Sequence, residues 1–221
     1  MTSPPKDQAP GSLRLVLTLA IAGLLSGIAI IGIYESTLPT ITANKARELR
    51  EAVFKVLPGV TQMQALVYRD DALVVVPEPD KDEPVVYGGY DDAGQFIGYA
   101  VPAAGPGFQD TIALLYGYIP AERKVVGMEI LESRETPGLG DKIEKDEAFL
   151  RNFEALDARV DDAGTAMRNR IVTVKSGTKT EPWQIDAITG ATITSKAVGE
   201  ALASSSERWI PKVKEWADEH R

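Results

Sequence analysis

The sequence predicts an α+β protein in which one N-terminal transmembrane helix precedes a domain with an antiparallel sheet flanked by helices. Three observations support this class. An uncharged apolar run lies near the N-terminus, strand patterns separated by turn residues begin at Val85, and helical spacing of apolar residues returns near the C-terminus.

The amino-acid composition excludes or disfavours several classes of function. The 221 residues include 24 Lys and Arg against 32 Asp and Glu, a net charge of −8, which disfavours nucleic-acid binding. The chain has no cysteine, and its one histidine, His220, is next to last. Disulfides, thiolate catalysis and Fe–S clusters are excluded, and His-based metal sites and triads have almost no basis. We expect no metal site and no catalytic side chain.

The apolar run, Leu15–Tyr34, contains no charged residue. At about 1.5 Å per residue it spans roughly 30 Å, the thickness of a hydrocarbon core. We assign a tail to residues 1–12 and a transmembrane helix to 13–34. A cleaved signal peptide is the weaker alternative, because the run is too long and no A-x-A site follows. Flanking charges do not decide orientation, since long domains translocate largely regardless of them.

A second helical pattern follows the apolar run. After Pro39, the stretch Thr42–Leu57 has apolar residues at helical spacing, and Pro58-Gly59 ends it. We assign residues 35–59 to a connecting helix and 60–221 to the globular domain.

The first half of this domain shows strand signals after a polar loop at residues 77–84. Paired runs flank turn residues such as Asp91 and Gly94, which predicts an antiparallel sheet of four or more strands. The predicted strands are Val85–Tyr90, Gln95–Val101, Thr111–Tyr118 and Lys124–Leu131.

The second half mixes helices and a strand. Asp146–Leu156 has the pattern of a short amphipathic helix, and Ile171–Val174 that of a strand. Two further helices are predicted at Thr194–Leu202 and Glu207–Glu219. The second contains Trp209 and Trp216, which we interpret as core or docking residues.

One unusual segment is Glu132–Asp141, ESRETPGLGD. It follows a predicted strand and places Pro137, Gly138 and Gly140 in a tight bend. Glycines allow backbone N–H groups to approach a ligand closely. By its residues alone, however, the segment is more simply a plain turn.

The other unusual segment is Asp186–Ser195, DAITGATITS, which places hydroxyl groups where a helix begins. A helix N-terminus with free N–H groups favours a phosphate. From the residues alone, the simpler interpretation is an ordinary helix start with Thr192 or Thr194 as N-cap. Neither unusual segment is a Walker loop or a G-x-G-x-x-G fingerprint.

The spacing D-x-x-T-G-A-T, from Asp186 to Thr192, resembles the signal at which ApbE-type flavin transferases attach FMN to a threonine. The loop Glu135–Gly140 resembles a second signature of the same family. With the N-terminal apolar helix, this order of motifs resembles RnfG/RsxG, the FMN-carrying member of the Rnf ion-translocating oxidoreductase. NqrC, a component of the sodium-pumping NADH:quinone reductase, is a relative.

The resemblance implies FMN esterified to Thr192, with Asp186 in the recognition signal for the transferase. Ser133 stands where family members often have a histidine, so a proton relay through that position is not implied. The step Gly105–Phe108, GPGF, also resembles a family loop near the flavin. The remaining cofactor-binding residues that the resemblance implies are Glu135, Thr136, Pro137, Gly138, Leu139, Gly140, Thr189, Gly190 and Ala191.

The function implied is electron relay in a membrane-bound, Na⁺- or H⁺-translocating ferredoxin/NAD oxidoreductase. The chain would be a single-pass component of the cytoplasmic (inner) membrane with its domain on the extracytoplasmic or periplasmic side. Its partners would be the A, B, C, D and E subunits of the Rnf complex and the flavin transferase. No NADH or quinone site is recognisable, so we expect no independent turnover. The alternatives are an FMN-carrying component of a related, NqrC-like or nitrous-oxide-regulator-like system, and a cofactor-free membrane-anchored binding or sensory module.

Overall fold

A computed structural model describes residues 11–70, 72–80 and 83–219. The chain divides into two compact units, Met1–Arg47 and Glu48–Arg221. The first helix, α1, spans Ser12–Val56, and its apolar side chains from Leu13 to Tyr34 are exposed. Among the described residues, it is the one helix long and apolar enough to cross a membrane.

Helix α1 is continuous where the sequence suggested a transmembrane helix and a separate connecting helix. Pro39 lies inside it, because a proline removes one backbone hydrogen bond without necessarily ending a helix. Before Pro39, the Ser36 and Thr37 hydroxyls donate to the Ile33 carbonyl at 2.8 and 2.9 Å. The helix ends just before Pro58, as predicted. The globular unit begins at Glu48, so the last turns of α1 belong to it.

Within the described residues, seven antiparallel strands form one sheet in the order β2-β1-β3-β4-β5-β6-β7. The first two strands, β1 and β2, were not predicted from the sequence. Strand β4 runs five residues beyond the predicted Val101, because it pairs with β5 as far as Pro106 and Thr111. The strands are β1 (Gln62–Arg69), β2 (Ala72–Val76), β3 (Val85–Tyr90), β4 (Phe96–Pro106), β5 (Thr111–Ile119), β6 (Lys124–Glu132) and β7 (Leu156–Asp157).

The two faces of the sheet belong to different cores. Alternate residues of β5, including Leu114 and Tyr116, point into the larger core, which also contains Leu202. The opposite face, represented by Leu115, packs against Val53 and the end of α1. Because side chains alternate along a strand, both faces of this sheet are buried in its centre.

Four glycines of the sheet lie against the end of α1 or against Leu57 and Val60, which follow it, and we call them the glycine groove: Gly89, Gly98, Gly117 and Gly127. Gly89 pairs directly with Gly98, and Gly117 with Gly127. A Cβ atom on Gly117 would overlap the Val56 carbonyl oxygen, and one on Gly127 would lie 2.8 Å from it. The sheet can therefore accept the helix end only where side chains are missing.

After β6 the chain forms short elements. Helix α2 spans Glu147–Leu150 and lies between 3₁₀ turns at Gly140–Glu144 and Arg151–Phe153. The predicted helix Asp146–Leu156 is therefore wrong in extent. Asp146 caps α2 by accepting a hydrogen bond from the Phe149 N–H at 2.9 Å, and the chain then enters β7.

The C-terminal elements carry the site. Strands β8 (Val172–Val174) and β9 (Gln184–Asp186) are parallel, and β8 agrees with the prediction. Helix α3 spans Thr192–Glu219, where the sequence indicated two helices. The intervening serines stay helical because their hydroxyls find partners, as when Ser206 donates to the Leu202 carbonyl at 2.7 Å. Trp209 is a core residue; the side chain of Trp216 and all of His220 lie outside the described part.

Candidate functional site

The turn between β9 and α3 presents Thr192. The Ala191 N–H donates to the Ile188 carbonyl at 3.1 Å, and Gly190 has a φ of +83°, which favours glycine. Ser195 ties this turn to the helix, because its Oγ accepts from the Ile188 N–H at 3.1 Å and donates to the Ala191 carbonyl at 2.9 Å. The turn and the first turn of α3 are thus one hydrogen-bonded unit.

The hydroxyls of Thr192 and Thr194 act as donors rather than as N-caps in the contacts described. Thr192 Oγ1 donates to the Ile188 carbonyl at 3.4 Å, a long hydrogen bond, and the residue is half-buried. Thr194 Oγ1 donates to Glu135 Oε2 at 2.8 Å. Thr192 therefore carries the more weakly engaged hydroxyl of the two.

The bend Glu135–Asp141 is closed by its own backbone. The Thr136 carbonyl accepts hydrogen bonds from the N–H groups of Leu139 and Gly140 at 3.1 and 3.0 Å. Gly138 has a φ of +78°, and its N–H donates to Asp141 Oδ1 at 2.7 Å. The hydrogen bond from Lys145 is the main cause that lowers the pKa of Asp141, with the Gly138 N–H adding to it. This bend holds Leu139 outward.

A buried carboxylate joins three segments of the site. Glu135 is 7% exposed. Its Oε1 accepts from the N–H groups of Phe108 at 2.8 Å and Gln109 at 3.0 Å, and its Oε2 accepts from Thr194. Buried carboxylates need such partners because an unpaired one is costly to desolvate. Glu135 thereby connects the loop after β4 to the start of α3.

These segments enclose a cleft of about 340 Å³, within the size range of small-molecule sites. Its rim carries Phe108, Leu139 and Ile193, whose side chains are 64%, 56% and 62% exposed. Apolar side chains this exposed at a cleft indicate a ligand surface. The predicted site residues that line the cleft are Glu135, Thr136, Leu139, Gly140, Gly190, Ala191 and Thr192.

Other predicted residues lie elsewhere. Pro137 and Gly138 form the exposed outer bend. Thr189 and Asp186 line a different cavity, beside Lys142. Asp186 accepts hydrogen bonds from the N–H groups at residues 177 and 178, at 2.9 and 3.3 Å, so it holds the turn before β9.

Three residues that line the cleft were not among the predicted cofactor-binding residues: Phe108, Ile193 and Thr194. Phe108 belongs to the GPGF step, whose resemblance to a family loop near the flavin was a signal, whereas the exposed Ile193 has no local signal. The hydroxyl of Thr194 was visible, but its partner lies 59 residues away. Ser133, at the place of the family histidine, accepts a hydrogen bond from the Glu135 N–H at 3.3 Å.

Comparison with known proteins defines the class. Residues 107–206 match the FMN-binding domain family, and this segment contains every residue named as lining the cleft. The fold and the cleft thus define a protein with an FMN-binding domain, which confirms FMN as the cofactor class. The match does not favour the cofactor-free alternative.

The relatives identify the family more closely. The G subunit of the ion-translocating oxidoreductase complex of Methanosarcina acetivorans is 30% identical, over 87% of this chain and 91% of the relative. The G subunit of the proton-translocating ferredoxin:NAD⁺ oxidoreductase complex of Clostridium ljungdahlii is 31% identical, over 92% and 95%. The chain belongs to the family of G subunits of ion-translocating oxidoreductase (Rnf) complexes, as its motifs predicted.

A solved structure shares the fold. The crystal structure of Shewanella oneidensis NqrC superposes with a TM-score of 0.57, at 20% sequence identity, and covers 80% of this chain and 98% of NqrC. NqrC of Parabacteroides distasonis gives a TM-score of 0.51 at 21% identity, over 70% of this chain and 78% of that protein. The predicted α+β class with its antiparallel sheet is confirmed.

Proposed function

We propose that this chain carries FMN as a phosphoester on Thr192 and relays electrons as the G subunit of a membrane-bound, ion-translocating ferredoxin:NAD⁺ oxidoreductase complex. Family membership and the FMN-binding domain support the electron-relay role. The single observation that carries the attachment site is the position of the Thr192 hydroxyl. It lies on the first turn of α3, in a cleft whose rim is apolar.

The residues present suit FMN. When bound, FMN supplies one- and two-electron redox chemistry that the side chains lack. Phe108, Leu139 and Ile193 offer apolar surface to a flat aromatic ring, and the start of α3 offers free N–H groups to a phosphate. Because a covalent tether keeps the local concentration high, a shallow and open cleft is sufficient.

Attachment uses the Thr192 hydroxyl. The Thr192 Oγ1 atom forms a bond to the phosphorus of FMN and gives up its proton to solvent. The anhydride bond of an activated flavin donor, such as flavin adenine dinucleotide, breaks, and the adenine nucleotide leaves. We assign this transfer to an ApbE-type enzyme that recognises Asp186, Thr189, Gly190 and Ala191. Thr189 and Gly190 are exposed on the turn, which supports access by an enzyme.

The apolar part of α1 anchors the chain in the cytoplasmic (inner) membrane, and we place the domain on its extracytoplasmic side. The partners are the A, B, C, D and E subunits of the Rnf complex. An NqrC-like component of a related reductase is the second candidate, favoured by the shared fold. Purification of the intact complex separates the two, because each predicts a different set of accompanying subunits.

The test of attachment is in-gel flavin fluorescence after co-expression with a flavin transferase. Wild type and Thr192→Ser retain a hydroxyl at this position and give a fluorescent band under denaturing conditions. Thr192→Val is close in size but has no hydroxyl, and its band is dark. A fluorescent Thr192→Val band would place the attachment on another residue, and a dark wild-type band would reject covalent FMN.

The side of the membrane requires a separate experiment. Protease added to intact cells, with the outer membrane permeabilised where there is one, removes the domain if it is extracytoplasmic. A cytoplasmic protein followed in the same samples reports accidental lysis. Cleavage that appears only after lysis contradicts the proposed side.

A further inference from the structure

We propose that Glu135 is the positioning residue of this cleft, and that its buried carboxylate sets the aromatic wall and the attachment hydroxyl in place before a ligand enters. The resemblance placed Glu135 among the flavin-binding residues. Its contacts assign it a different task, which is to join chain segments. The part of this inference that concerns FMN rests on the proposed function, whereas the part that concerns the cleft does not.

The hydrogen bonds of Glu135 reach residues that are distant in the chain. Oε1 of Glu135 binds the N–H groups of Phe108 and Gln109, which are 27 and 26 residues away in the chain. Oε2 binds the hydroxyl of Thr194, which is 59 residues away. One side chain therefore fixes the distance between the loop after β4 and the first turn of α3.

Two glycines leave space for the Glu135 carboxylate. A Cβ atom on Gly107 would lie 2.5 Å from Oε1, and one on Gly140 would lie 2.6 Å from Oε2. Neither glycine has a left-handed φ, so backbone conformation does not require them. Each oxygen thus occupies the room of a missing side chain, and both neighbouring segments are shaped around Glu135.

The hydrogen bonds of Glu135 hold residues on both walls of the cleft. The Phe108 side chain is largely exposed, so packing does little to orient it, and its backbone N–H is held by Glu135. Thr194 stands two residues after Thr192 on the same helical turn. The carboxylate consequently controls both walls of the cleft without itself being a reacting group.

Hydrogen–deuterium exchange of the full chain in nanodiscs tests the cleft without any flavin. In Glu135→Ala, a peptide that covers Phe108 and Gln109 exchanges about tenfold faster or more, because both N–H groups lose a charged acceptor. The matched control is Glu132→Ala, which removes an exposed carboxylate three residues earlier and leaves the exchange unchanged. Equal acceleration in a β5 peptide that contains Leu114 and Leu115 would mean global loosening and would overturn the positioning role.

Rescue by the amide sharpens the test. In Glu135→Gln the carbonyl oxygen accepts the two N–H groups and the amide donates to Thr194, whose hydroxyl can accept. Exchange then returns most of the way to wild type. Exchange as fast as in Glu135→Ala contradicts a positioning role through these hydrogen bonds.

The flavin adds a readout that a merely structural role would not move. In loaded Glu135→Ala the band on a denaturing gel stays fluorescent, but the fluorescence anisotropy of the attached flavin falls because the cleft walls no longer confine it. Thr194→Val removes the hydroxyl that donates to Glu135 Oε2, and it also lowers the anisotropy. This second variant keeps the test available if Glu135→Ala does not fold. Unchanged anisotropy in the folded variants rejects control of the ring by Glu135. Failure of wild type to load rejects Thr192 attachment and leaves the exchange result standing.

Discussion

The glycine groove makes a quantitative prediction for Gly117→Ala. The added methyl overlaps the Val56 carbonyl oxygen and lies 2.8 Å from the Val56 carbonyl carbon and 3.0 Å from Leu57 Cδ2. Overpacking typically costs about 1–3 kcal/mol, and contact with backbone rather than a rotatable side chain favours the upper end. Replacing a strand glycine recovers about 0.5–1 kcal/mol of backbone entropy. We expect a net loss of about 2 kcal/mol in the free energy of unfolding.

Urea unfolding of the full chain in detergent micelles, followed by tryptophan fluorescence, measures this loss. About 2 kcal/mol corresponds to a fall in Tm of roughly 4–8 °C for a chain of this size. The matched control is Gly88→Ala on β3, where a Cβ meets only side-chain ends, Leu66 Cδ1 at 3.2 Å and Tyr90 Cε2 at 3.3 Å. That variant should lose less than about 1 kcal/mol. Equal free energies of unfolding for the two variants would refute the conclusion that the end of α1 packs against the sheet through the glycine groove.

Two further predictions concern buried and half-buried polar groups. Burial raises the pKa of Tyr116 to about 12. In the unfolded chain a tyrosine titrates near 10, so between pH 10 and 12 the unfolded state loses a proton that the folded state keeps, and stability falls by up to about 3 kcal/mol. In Tyr116→Phe, the free energy of unfolding measured by urea titration should fall less between pH 10 and 12 than in wild type. An unchanged pH dependence contradicts the assignment to Tyr116. Asp186→Ala should lower the free energy of unfolding by about 1 kcal/mol, because the two turn N–H groups that donate to the Asp186 carboxylate lose their acceptor. A urea midpoint equal to wild type would show that those hydrogen bonds add nothing.

Local patterns predicted the elements whose signals lie within a few residues. The strands β3 to β6 are mostly apolar runs bounded by turn residues, and β8 agrees closely with its predicted range. Strands β1 and β2 were missed because their assignment depends on partners. The polar-rich start of β1, at Gln62, becomes a strand by pairing with Tyr90 on β3. The sequence suggested two helices on either side of residue 35, but the helix is continuous and includes Pro39, since a proline removes one backbone hydrogen bond without necessarily ending a helix.

The sequence indicated those parts of the candidate site that lie within a recognisable motif. The D-x-x-T-G-A-T spacing pointed to Thr192, and the E-T-P-G-L-G loop pointed to the bend that faces it across the cleft. The same motifs gave no sign that Asp186 and Thr189 would line a separate cavity. Phe108 was indicated only through the resemblance of its GPGF step to a family loop, and Ile193 was missed because exposure at a cleft is a property of the folded surface.

The sequence by itself determined that the chain has an apolar segment of membrane-spanning length, an α+β domain and hydroxyl groups where a helix begins. These follow from periodicity, charge and spacing, which act between residues close in the chain. Only the tertiary structure decided that four glycines form one groove and that Glu135 contacts residues up to 59 positions away in the chain. Both depend on the excluded volume and hydrogen-bond partners of residues distant in sequence, and these are defined once the sheet and α3 have packed together.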